Sequence, residues 1–173
     1  MELVAWADGV CEFAGRRTRC ALGRSGVRPA GAKREGDGAT PAGAWPIRRV
    51  LFRSDRRPAP VTALPVSPIG PADGWCDAPA DAAYNRPVTL PYPASAERLW
   101  RDDGLYDLVA PLGYNDAPPI AAAGSAIFLH LMRPDGGPTD GCIALGASDL
   151  DAALALAGPA SLVRIHAHRC PRR

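Results

Sequence analysis

Lysine is almost missing from this 173-residue chain: Lys33 stands alone, and every other basic side chain among the 20 Lys and Arg is arginine. Arginine forks onto carboxylates, so small acidic groups suit it as ligands, although a GC-rich genome produces the same bias without any function. No sign of charge dominates. Against 18 Asp and Glu the formal net charge is +2, which leaves no excess for neutralising phosphates, so no nucleic-acid partner is expected. Apolar residues nowhere run to the roughly 18 that a membrane span requires. The opening Met1-Glu2-Leu3-Val4 lacks the basic start and apolar core of a secretory signal, so the chain as written carries no visible export address. Gly36-Asp37-Gly38 lacks the Lys-Ser/Thr ending of a phosphate loop, and nucleotide binding is not expected. There is no internal repeat.

What is abundant is punctuation. With 18 Gly and 19 Pro between short β-type runs, the chain is expected to turn often, and its length suits one domain over residues 1–173. Glu2 to Ala7, Val10 to Ala14 and Thr18 to Leu22, broken by Asp8-Gly9 and Gly15-Arg16-Arg17, predict a β-meander. Gly23 to Gly43 is a long connection. Trp45 to Phe52 predicts a strand in which Pro46 lies at an edge or among the first residues. Arg53 to Pro71 reads as a surface loop. Ser95 is expected to cap a short helix from Ala96 to Arg101 that turns Leu99 and Trp100 to the core. Gly104 to Ala110 and the strongly apolar Ser125 to Leu131 predict strands, the second central. Ser148 and Asp149 open a helix carrying Leu150, Leu154 and Ala157 at helical spacing, which Gly158-Pro159 ends. Ser161 to His168 predicts a closing strand. The expected fold is mostly β, a sandwich or barrel with one or two short helices.

The chemistry concentrates between Ser125 and Leu156. A β-type run ends in His130, a Pro/Gly-rich loop follows, and the loop returns on Gly141-Cys142. A thiol becomes a nucleophile when a neighbour takes its proton, and imidazole is the usual partner. Strand-His, loop, Thr139-Asp140-Gly141-Cys142-Ile143 and an Asp-Leu helix together resemble the catalytic segment of the L,D-transpeptidases of bacterial peptidoglycan, the YkuD-domain family. Upstream, Thr40-Pro41-Ala42-Gly43-Ala44-Trp45-Pro46-Ile47 is similar to that family's Thr-Pro-x-Gly-aromatic segment. The resemblance implies the family's β-rich fold, Cys142 as nucleophile, His130 as base and a thioester intermediate formed on peptidoglycan stem peptides. Two positions depart from it. Asp140 stands where the family usually has His, and Ala144 stands where many members have Asn or Arg. The loop between His130 and Cys142 is also shorter than in most members.

Around this pair, Gly141 lets the backbone bend and, with Cys142, is a candidate oxyanion donor; an ordinary turn glycine is the plainer reading. Arg133 either grips a substrate carboxylate or is a solvated loop residue. Thr139 either hydrogen-bonds near the thiol or shapes the turn, and Asp140 either orients an imidazole or faces solvent. Trp75, Tyr84, Asn85 and Arg86 crowd one loop in a manner suited to a peptide or sugar, with packing of Trp75 and Tyr84 onto the core as the alternative. Five cysteines, Cys11, Cys20, Cys76, Cys142 and Cys170, make an odd set in which Cys142 is the expected free thiol. Cys11 and Cys20 either pair or are buried singly. His166, His168 and Cys170 alternate on one face as a rival zinc site without an evident fourth ligand; no metal and no cofactor is expected. The leading reading is a monomeric cysteine acyltransferase of the periplasm or cell envelope, cross-linking stem peptides and open to acylation by carbapenems. An L,D-carboxypeptidase or amidase with the same Cys/His, and a non-catalytic wall-binding module, are the alternatives.

Overall fold

Turn chemistry sets the first elements. In the computed structural model, which describes residues 1–171, β1 (Glu2–Trp6), β2 (Val10–Phe13) and β3 (Arg16–Ala21) form the expected antiparallel meander. Gly9 closes its first turn at φ 76°. Ala14 and Gly15, at φ 47° and 77°, close the second, the pair of positive φ values that a two-residue hairpin turn requires. Next come β4 (Val27–Pro29), a 3-10 turn (Ala30–Ala32), β5 (Thr40–Pro46), β6 (Val50–Phe52), β7 (Val66–Pro68), β8 (Asp73–Cys76), β9 (Pro87–Thr89), β10 (Ala96–Arg98), β11 (Leu108–Pro111), β12 (Phe128–Leu131), β13 (Ile143–Leu145), α1 (Ala147–Ala155) and β14 (Leu162–His166). Among the described residues, eleven strands join one sheet in the order β4-β5-β14-β1-β2-β3-β13-β12-β11-β6-β7, and β10-β8-β9 form a second, small one. The fold is mostly β with one α-helix, as expected.

Several elements differ from the sequence reading. Ala96 to Arg101 is not a helix: Ala96–Arg98 pairs antiparallel with β8, Glu97 lying opposite Trp75. Six residues are too few to sustain a helix without tertiary support, and here that support is a strand edge. Leu99 does reach the core, while Trp100 packs beneath the Arg53 guanidinium, 3.5 Å from the ring centroid. The strand expected from Trp45 to Phe52 is two strands. Pro46 ends β5, an interior strand between β4 and β14, and at that end its missing N–H breaks little of the ladder. The loop from Arg53 to Pro71 contains β7 and buries Arg53, Leu64 and Ile69. Helix α1 starts from Gly146 without a side-chain cap, two residues ahead of the expected Ser148. In its first turn Asp149 is held by Arg16 (Nε to Oδ1 2.8 Å) and by the Thr18 hydroxyl.

Alternation along the central strands divides the molecule. Leu129, Ile143 and Leu145 point to the larger core, where Leu3, Leu150 and Leu154 are fully buried. Phe128, Val109 and Cys142 belong to a second cluster with Ile69, Leu99, Leu105 and Tyr106 on the opposite face. Truncating Leu129 to Ala at the centre of the larger core is expected to cost about 2–5 kcal/mol, read as a lower urea midpoint with an unchanged slope.

Candidate active site

The pairing of β12 with β13 creates the site. These strands run parallel, with Leu129 opposite Ile143 and His130 opposite Ala144. Side chains alternate along a strand, so Phe128 and His130 share a face. Cys142, next to β13, and Ala144 lie on that same face of the neighbouring strand. The imidazole and thiol therefore face one side of the sheet, one strand apart and offset by two residues, and both line one cleft of about 350 Å³. Ala144, opposite His130, contributes only a methyl group to the wall between them.

The loop that returns Cys142 is clasped from two directions. Thr139 Oγ1 donates to the Cys142 carbonyl at 2.7 Å and accepts from the Gly141 amide at 3.2 Å. Fully buried Thr40 donates to the same carbonyl at 3.4 Å and accepts from the Gly23 amide at 2.8 Å. Gly141 lies at φ 136°, and a Cβ there would stand 2.9 Å from the Ala39 carbonyl oxygen, so no other residue fits. The Gly141 amide is committed to Thr139, so it is not free for the oxyanion role expected of it.

The electrostatics of the pair follow from burial. Cys142 is 8% and His130 5% exposed. Burial pushes the thiol up to about 12, and the nearby Glu97 carboxylate acts in the same direction, while the Phe128 N–H, 3.3 Å from Sγ, opposes it. Burial also pulls the imidazole down to about 4. At rest the pair is neutral thiol and neutral imidazole. His130 Nδ1 lies 2.8 Å from the Leu131 carbonyl; a carbonyl only accepts, so Nδ1 carries the proton and Nε2 is left as the acceptor. The Tyr106 ring packs edge-on against His130 at 5.4 Å, and its hydroxyl donates to Glu97 at 2.6 Å.

The structure separates the remaining expected site residues. Arg133 lies exposed at the cleft rim and Thr139 lines the wall, the latter occupied as a clasp. Trp75, Tyr84, Asn85 and Arg86 do not line the cleft. Trp75 stacks edge-on against Phe128 at 5.1 Å, Tyr84 bonds the Glu35 carboxylate, and the Arg86 guanidinium reaches the Asn85 carbonyl. Asn85 is 3% exposed, with its polar atoms used internally. Their polar groups find intramolecular partners, which is why they pack inward rather than face a ligand. Asp140 also lines the cleft, and its carboxylate pairs with Arg24. All five cysteines are free thiols; Cys11 lies opposite Thr18, not Cys20. The rival zinc site does not assemble: the His166 ring lies between Trp6 and His168, and among the described residues no three metal-binding side chains converge.

Sequence reasoning missed Lys33, Glu97, Arg101 and Tyr106, which line the cleft. Lys33 is 2% exposed and held by Asp37 Oδ1 and the Arg34 carbonyl, each at 2.7 Å. Its singularity in composition was a signal; Glu97 and Arg101 were hidden in the expected helix.

The pattern of the YkuD family, the L,D-transpeptidase catalytic domain, matches residues 3–165. The chain belongs to that family. Similar solved structures include the helical cell shape determining protein Pgp2 from Campylobacter jejuni, at 14% identity and a TM-score of 0.47, and a point variant of it, at 14% and 0.48. Each match covers 99% of this chain but 49% and 48% of the other, so the chain spans about half the length of Pgp2. No curated protein matches. Among the described residues of this L,D-transpeptidase-family chain, no helix is long and apolar enough to cross a membrane.

The depressed imidazole makes a pH prediction. Between pH 6.5 and about 4 the unfolded chain takes up a proton at His130 that the folded one refuses, so stability falls as pH falls through that window, by about 3 kcal/mol at its acid end. His130→Asn is expected to flatten this part of the pH–stability curve, measured by urea unfolding against wild type.

Proposed function

We propose that this chain is a cysteine-dependent peptidoglycan L,D-transpeptidase, with Cys142 as nucleophile and His130 as base. The observation that carries the reading is the placement of thiol and imidazole on one sheet face lining one cleft, within a chain of a family that acts on peptidoglycan. Cys142 Sγ attacks an amide carbonyl of a stem peptide while its proton passes to His130 Nε2. The Cys142 amide N–H faces the developing oxyanion. Collapse of the tetrahedral intermediate breaks the C–N bond, the imidazolium protonates the departing amine, and a thioester remains. An amine of a second stem then attacks the thioester, His130 accepts its proton, and the sulfur recovers it as the cross-link forms. No cofactor enters these steps.

A neutral resting pair accords with this order of events, because charge separation inside a buried cleft is deferred until a substrate shares it. Arg133 at the rim and the Lys33 and Arg101 side of the cleft suit the carboxylates of stem peptides. Working on such a substrate, the protein would act as a single chain in the periplasm or cell envelope.

Incubation with purified muropeptides and mass analysis of the products is expected to yield cross-linked dimers, lost in Cys142→Ala. Shortened monomers alone would assign the same residues to hydrolysis. Carbapenem is expected to add its mass to the Cys142 peptide of wild type, and an unlabelled wild type that also forms no product would remove catalysis altogether.

A further inference from the structure

Asn85 stands outside the cleft, yet its bonds lead to the sulfur. Its Oδ1 accepts from the Trp75 indole N–H at 2.9 Å and from the Ala126 amide at 3.0 Å. Its Nδ2 donates to the carbonyls of Tyr114 at 3.1 Å and Asn115 at 2.7 Å. Ala126 lies at φ 51°, a left-handed conformation that a residue with a Cβ keeps only when its surroundings over-determine it. In that conformation the Ala126 carbonyl accepts the Cys142 thiol at 3.2 Å, and two residues further on the Phe128 N–H donates to the same sulfur at 3.3 Å.

We propose that Asn85 is a positioning residue for the nucleophile: by gripping the Ala126 amide it maintains a strained residue whose carbonyl holds the Cys142 thiol in place. The proposal rests on Cys142 being the reacting sulfur, as read above. A carbonyl acceptor favours the S–H form and an amide donor favours the thiolate, so the segment from Ala126 to Phe128 offers the sulfur a partner for each state. The other groups acting on this sulfur are Glu97 from β10, Lys33 and Arg101 from the cleft wall, and Tyr106, while His130 from β12 lines the same cleft. Among the described residues the Asn85 side chain bonds Trp75, Tyr114, Asn115 and Ala126 and none of these groups, so a change there is separable from theirs.

The test is iodoacetamide alkylation of the full chain, followed at the Cys142 peptide by mass spectrometry across the neutral to alkaline range. In Asn85→Ala the Ala126 carbonyl is released, and the midpoint of the rate–pH curve is expected to move down by about one unit, a roughly tenfold faster reaction at a fixed pH below it. Asn85→Asp keeps an acceptor for Trp75 and Ala126 but loses both donors to Tyr114 and Asn115; its midpoint is expected at or above that of wild type. Trp75→Phe, which leaves the Asn85 to Ala126 bond, is expected to leave the midpoint in place. An unmoved midpoint in Asn85→Ala, or equal downward shifts in the Ala and Asp variants, would overturn the proposal. Should Asn85→Ala fail to fold, a midpoint below wild type in Asn85→Asp overturns it alone. Alkylation requires no acyl transfer, so absence of muropeptide products with these shifts intact would count against the proposed reaction and leave the positioning role standing.

Discussion

The register between β12 and β13 is the constraint on which this molecule's chemistry depends. Leu129 and Ile143 face each other in the larger core, and that apolar pairing turns their neighbours outward. A slip of one residue would send the imidazole into the aliphatic layer and bring a leucine to the cleft. The site is therefore held by side chains that take no part in it. Burial of Leu129, Ile143 and Leu145 against Leu150 and Leu154 of α1 supplies the energy that keeps His130 and Cys142 on a common face.

That same burial sets the character of His130 and Cys142. Withdrawing both groups from water disfavours charge on each, so the thiol rises, the imidazole falls, and the resting site is uncharged. The Leu131 carbonyl, by taking the Nδ1 proton, decides which imidazole nitrogen is available. Glu97, itself held by Tyr106 and Arg101, adds a further bias toward the thiol. The site is thus flanked by polar groups, Glu97 and Lys33, whose own partners lie within nine positions of them along the chain.

Around the sulfur, positioning is done by atoms brought from distant segments. Thr139 and Thr40 converge on one carbonyl, Gly141 passes a point too tight for any Cβ, and the strained Ala126 is tied to Asn85. Each contact is ordinary in strength, on the order of 1 kcal/mol. Their collective effect is to leave the Cys142 backbone little freedom, as the nucleophilic role proposed for it requires.

Much of this was legible without coordinates. The hairpin at Asp8-Gly9, the central strand ending in His130, the spacing of Leu150, Leu154 and Ala157, and the Gly141-Cys142 return are local patterns, set by turn preferences and periodicity within a few residues. What the sequence could not decide was everything that depends on a partner remote along the chain. Ala96 to Arg98 has a helical composition and becomes a strand because β8 offers it an edge. Trp75, Tyr84 and Asn85 look like a ligand-binding loop and turn inward because Phe128, Glu35 and Ala126 satisfy them there. Lys33 and Glu97 belong to the cleft only because segments more than sixty positions apart fold onto it. Local chemistry determined which groups could react; long-range packing alone determined which of them meet, since the free energy that places them comes from contacts no short stretch of sequence contains.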